Sequence, residues 1–116
     1  MPEALRLVGF TVSTLDDVFG VRPVEDVEWI HYADDHNMVV ACKDDRIRRR
    51  PLEKRALFYS SLRVLCLTNG HLRREQQAAC FRHNIDGIVR QLRHPGPWVL
   101  GVQESRVQVL RIYPVD

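Results

Sequence analysis

No stretch of this sequence approaches the roughly 18 to 20 consecutive apolar residues of a membrane-spanning helix, so no membrane partner is expected. Cysteine is sparse. Cys42, Cys66 and Cys80 are scattered, odd in number and set in apolar runs. Without a C-x-x-C pair they give no zinc signature, and they read as small buried hydrophobes rather than disulfide partners. The five histidines, His31, His36, His71, His83 and His94, lack any H-x-x-x-H or H-E-x-x-H spacing, so they read as surface or supporting residues. A strong excess of one charge is missing too. The formal net charge of +2 is too small to argue for nucleic acid by itself. Internal repeats, low-complexity segments and an interdomain linker are absent. The opening MPEALRLVGF has neither a basic n-region nor a small-residue cleavage site, which points to the cytoplasm.

What is present suits one globular domain spanning residues 1–116, 45% apolar and 28% charged. Residues 2–8 read as a short helix closed by Gly9, and 10–15 (FTVSTL) alternate as a strand would. A loop runs from Asp16-Asp17 to Pro23. Glu25-Asp26 then open a helix that Asn37 closes, and MVVAC (38–42) is a continuous apolar run, the pattern of a strand buried on both faces. Pro51 opens the next helix, and RVLCL (63–67) repeats the buried-strand pattern. After Thr68-Asn69-Gly70 a long helix is expected from about Leu72 to His94. Its inward stripe would be Ala78, Phe81, Ile85, Ile88, Val89 and Leu92, with Arg73, Arg74, Arg82, Arg90 and Arg93 facing water. Pro95-Gly96-Pro97 ends it, and 98–102 and 107–113 read as a terminal strand pair turned around Glu104-Ser105.

Buried strands alternating with helices specify an α/β fold, a mostly parallel sheet covered on both faces, with the terminal pair added to it. In such sheets function lies beyond the carboxyl ends of the strands. Three polar turns are expected there: Asp16-Asp17, Asp44-Asp45 and Thr68-Asn69.

The most informative stretch is Glu25 to Arg55, EDVEWIHYADDHNMVVACKDDRIRRRPLEKR. Asp26 opens its helix and Asp44 ends its strand. A helix folded back beside the strand it feeds would bring these two carboxylates to one end of the sheet. Clustered carboxylates without soft ligands bind hard cations, Mg²⁺ or Mn²⁺, which polarise a phosphodiester and supply hydroxide near neutral pH. Asp26 and Asp44 are therefore the candidate catalytic and metal-binding residues, and Asp16, Asp17 and Asp45 are weaker ones. For Asp26 a helix N-cap, and for Asp44 a strand-end turn, are the alternatives. Lys43, Arg46, Arg48, Arg49, Arg50, Lys54 and Arg55 form a basic block after them. It either neutralises phosphates or forms a solvated or partner-binding face. Lys43, Arg46, Arg48 and Arg49, with Asn69, are the candidate RNA-binding residues.

Asp26, Trp29, Lys43, Asp44, Ile47, Arg48, Pro51 and Glu53 spell Asp-x-x-Trp, an apolar strand ending Lys-Asp-x-x-Ile-Arg, then Pro-x-Glu. This pattern resembles the compact subgroup of PIN-like domains of VapC-type toxin ribonucleases. The likeness continues through RVLCLTNG, the long helix and the late Pro-Gly-Pro, and so covers nearly the whole chain. It implies a PIN-like three-layer fold and an Mg²⁺- or Mn²⁺-dependent endoribonuclease toxin of a type II toxin–antitoxin system. It also implies an RNA substrate and a cognate antitoxin, and a homodimer is a further expectation. Family members usually begin with a strand ending in an acidic ligand, which this sequence does not contain. The alternative is accordingly a catalytically impaired PIN-like module that binds RNA or a protein. Glu3 lies where that acid could be replaced, although a Glu at a helix start normally serves the dipole.

Overall fold

A computed structural model describes residues 1–20, 22–43, 46–69, 71–110 and 112, and only the backbone of Asp26, Arg46 and Ile47. Four strands form one sheet in the order β1 (Val39–Cys42), β2 (Arg63–Leu67), β3 (Trp98–Val102) and β4 (Val107–Leu110). The β1–β2 and β2–β3 pairs are parallel, and β3–β4 is antiparallel. The α/β expectation, with its strand pair at the C-terminal side, is what the chain adopts.

Among the described residues seven helices accompany the strands. Helix α1 (Pro2–Leu7) starts with Pro at its first position, where a missing N–H costs nothing, and closes at Val8 with Gly9 at φ 104°. The strand expected over residues 10–15 does not form, and helix α2 (Leu15–Phe19) begins at its end. Its cause is local. Thr14 Oγ1 accepts from the Asp17 amide while the Asp17 carboxylate accepts from the Thr14 amide at 2.8 Å, a reciprocal capping box. Residues 10–14 run on as an unpaired extended segment, with Phe10 and Val12 packed on the core.

Helix α3 (Asp26–Asp35) has Glu25, not Asp26, at its N-cap, and Asn37 follows its end at φ 55°. Helices α4 (Arg46–Arg49) and α5 (Pro51–Phe58) follow β1. The single long helix expected from Leu72 to His94 is two, α6 (Arg74–His83) and α7 (Ile85–Leu92). Asn84 breaks it. Its Nδ2 donates to the Cys80 carbonyl at 2.8 Å and to the Gln103 carbonyl at 2.7 Å, so the buried amide ties the break to the end of β3. The break shifts the inward stripe: Ala78, Phe81 and Ile88 are buried, whereas Val89 is exposed.

The sheet separates two apolar layers. On one face Ile30, Ala33 and Leu57 of α3 and α5 pack on Val64, Cys66 and Val99. On the other, Leu5, Cys80, Phe81 and Ile88 of α1, α6 and α7 pack on Leu65, Leu67, Leu100 and Val102. The alternation along β2 and β3 is the period-two geometry of strands. Every residue of β3 is buried. None of the three cysteines is in a disulfide, and Cys66 and Cys80 are buried.

β1 departs from expectation. The run MVVAC predicts burial on both faces, yet exposed and half-buried residues alternate along it, and Met38 and Val39 are both 38% exposed. β1 is an edge strand. It pairs only with β2 among the described residues, and the α1–α6–α7 layer stops short of Val39 and Ala41. Among the described residues no helix is long and apolar enough to cross a membrane.

Candidate functional site

Three parallel strands end together. Cys42 of β1 aligns with Cys66 of β2, which aligns with Gly101 of β3, so Lys43, Thr68 and Gln103 leave the sheet at one end. The opposite end is fixed by hydrogen bonds. The Ser61 amide donates to Asp34 Oδ1 at 3.0 Å, and Arg63 Nη2 donates to the Asn37 carbonyl at 3.2 Å. The last turn of α3 is thereby held where β2 begins. Ten residues of helix span about 15 Å, so the first turn of α3, beginning at Asp26, lies toward the carboxyl ends of the strands. Trp29, Val40 and Cys42 pack into the same apolar layer, which keeps α3 flat on β1.

The Asp26 backbone therefore sits where the sequence expects it. The Asp26 side chain, and Asp44 and Asp45 altogether, lie outside the described residues. Lys43 ends β1 with its side chain exposed. It lies close enough to the Met1 amino group to help burial lower that group's pKa, burial being the larger cause. This brings the start of α1 to the same end. Glu3 is 3.9 Å from the Met1 amino nitrogen, and its carboxyl is held below its ordinary range. Its own backbone N–H does most of this, with the Met1 amine, Arg6 and Arg74 adding their charge. Glu3 thus acts as a helix-start carboxylate should.

The basic block divides. Arg49 and Arg50 are exposed, whereas Arg48 is only 8% exposed. In the single turn of α4 the structure takes the Arg48 side chain largely out of solvent. The Arg46 side chain lies outside the described residues. Glu53 occupies the first turn of α5, where its charge suits the helix dipole. Trp29 is half-buried core, as expected.

Asp16 and Asp17 do not join this end through a strand. They belong to α2, where Asp17 is engaged with Thr14 and lies 3.9 Å from Arg6. The expected metal-holding turn there is a helix cap. Among the described residues no three of His, Cys, Asp and Glu gather as a metal-holding group.

Two features at this end escape a reading of periodicity. Arg73 and Arg74, expected merely to face water, sit at the start of α6 and so near the carboxyl end of β2; Arg74 lies within electrostatic reach of Glu3. The order strand–turn–helix could have given this, since a helix after a parallel strand must begin at that strand's carboxyl end. The second is an open cleft of about 330 Å³ over the ends of β2 and β3, walled by Leu67, Leu72 and Val102 and edged by Asn69 and Glu104. Asn69 is exposed, and its Oδ1 accepts from the His71 amide at 3.1 Å. Cys80 lines the cleft too, its thiol pKa raised by burial and then by the Glu104 charge, so it is a neutral thiol and not a nucleophile.

Comparison with known proteins agrees with this architecture. A family model described as "PIN like domain" matches residues 1–69, more than half the chain. The chain is similar to the putative ribonuclease VapC45 of Mycobacterium tuberculosis, 29% identical over 110 residues that make up 92% of this chain and 80% of that protein. No solved structure matches it. A parallel sheet between two helical layers, with a basic carboxyl end and the matched family pattern, identifies the chain as a member of the PIN-like domain family, similar within it to the VapC-type proteins.

Proposed function

We propose that this protein is a metal-dependent endoribonuclease, the toxin of a type II toxin–antitoxin pair acting in the cytoplasm. The observation that carries the reading is the return of α3 along β1. It starts α3, and with it Asp26, at the end of the sheet where Lys43 precedes Asp44. Asp26 and Asp44 hold Mg²⁺ or Mn²⁺; carboxylate oxygens suit such hard cations, and Cys42, packed into the α3 layer, offers no competing thiolate. An ion held there would supply a hydroxide nucleophile and neutralise charge on the phosphodiester. Lys43 and Arg49, both exposed, draw the RNA backbone to it, with Arg46 beside them and Asn69 one strand away. Arg48 supports α4 from inside the fold.

The partners follow: an RNA substrate and a cognate antitoxin that covers this end, with a homodimer as a further possibility for assembly. Purified protein incubated with RNA in Mg²⁺ or Mn²⁺ tests the reading. Cleavage that EDTA abolishes is expected, and cleavage that persists in EDTA overturns the metal's role.

A second reading has its own observation. The outer edge of β1, with Val39 38% exposed, offers a strand for pairing by another chain. That favours a PIN-like module that binds a protein or RNA without cutting. Binding of RNA with no turnover in either metal would select it.

A further inference from the structure

We propose that the cleft over the carboxyl ends of β2 and β3 is a base-recognition pocket that selects guanine in single-stranded RNA. The proposal rests on the nuclease reading for its substrate class, and it assigns a site beside the metal-binding end, not part of it.

Size comes first. A volume of about 330 Å³ lies at the small end of the roughly 300 to 1,000 Å³ typical of ligand sites, enough for one nucleobase. Position comes second. Adjacent strands are about 4.8 Å apart, so the cleft stands one to two strand widths, about 5 to 10 Å, from the end of β1. That is the scale of one nucleotide step from a phosphate held near Lys43.

Chemistry selects the base. The walls Leu67, Leu72 and Val102 are apolar and suit the face of a ring. At the edge the polar groups are not equally available. Thr68 Oγ1 donates to the Val102 carbonyl at 3.4 Å, and Gln103 Oε1 accepts from Arg106 at 2.7 Å. Asn69, which lines the cleft, uses Oδ1 on the His71 amide, and its Nδ2 is a donor. Glu104 is exposed on the turn between β3 and β4, and its carboxylate lies near enough to the Cys80 thiol, within the same cleft, to act on its titration. An amide donor and a carboxylate with two acceptor oxygens lining one cleft suit the Watson–Crick edge of guanine, where O6 accepts and N1–H and N2–H donate. Adenine would turn its N1 lone pair toward the carboxylate, and uracil offers it a single N–H. Unpaired bases in RNA are commonly read in this way, by an apolar face and an edge.

The test separates binding from cleavage. Anisotropy of labelled uridine octamers carrying one central guanosine, adenosine or cytidine, in EDTA, should show guanosine bound about tenfold or more tightly, the scale of one bidentate base contact. Glu104→Gln should reduce that preference to about twofold or less. Amide shifts on adding GMP to the wild-type protein should concentrate at residues 67–69 and 102–105. Equal affinity for all three octamers, a guanosine preference that survives Glu104→Gln, or amide shifts elsewhere would overturn the pocket. Cleavage in Mn²⁺ is scored apart. A wild-type protein that prefers guanosine yet never cuts removes the nuclease reading and keeps the pocket; cutting without any guanosine preference does the reverse.

Discussion

Asp34 accepts a hydrogen bond from the Ser61 amide at 3.0 Å, joining the last turn of α3 to the segment that leads into β2. With α3 packed into the same apolar layer as β1, this contact at one end of the sheet helps set where Asp26 begins the helix at the other. Asp34→Ala should cost about 0.5 to 1.5 kcal/mol, the usual net worth of one hydrogen bond. Urea denaturation should show a lower midpoint with an unchanged slope. A midpoint equal to that of the wild type would mean that other contacts alone hold α3.

The arginines of the basic block should separate by function. Lys43→Ala and Arg49→Ala remove exposed charges, and each should reduce the salt dependence of RNA binding by about one phosphate's worth. Arg48→Ala removes a buried side chain and should instead destabilise the fold by about 1 to 3 kcal/mol. Affinity against salt, measured beside thermal melting, distinguishes the two. Equal loss of affinity without loss of stability in all three would return Arg48 to the surface role.

Acid should weaken the start of α2. The Thr14 amide, then the Thr14 hydroxyl and the Arg6 charge, hold the Asp17 carboxyl below its ordinary 3.8. A depressed carboxyl contributes stability above the unfolded value, and that contribution is lost as pH falls through the folded one. The stability difference between wild type and Asp17→Asn should therefore hold at neutral pH and close below 3.8. Melting curves across the acid range check this, and a gap that widens toward low pH would contradict it.

Much of this fold is legible in the residues themselves. RVLCL and WVLGV are continuous apolar runs and form the central strands; Pro2, Pro51 and Asn37 mark helix ends where they fall. Where reading failed, a local hydrogen bond or a missing neighbour decided. FTVSTL alternates like a strand, but among the described residues it joins no sheet neighbour, and the Thr14–Asp17 capping box turns the chain into α2 at Leu15. The long amphipathic stripe conceals Asn84, whose side chain finds carbonyl partners that only the folded chain provides. MVVAC has the composition of a central strand but holds the edge, since burial depends on neighbours its own residues cannot specify. At the candidate site, spacing and family pattern are what propose Asp26 and Asp44 as the acidic pair. The cleft at Glu104 needs the meeting of β2, β3 and α6, which no linear motif records.

The most direct test is the cleavage of single-stranded RNA in Mg²⁺ and Mn²⁺ by the wild type and by Asp44→Asn, with melting temperature and metal-free RNA affinity measured on both. Cleavage should fall to the metal-free background in Asp44→Asn while folding and RNA affinity persist. Undiminished cleavage by a folded Asp44→Asn protein would contradict the account.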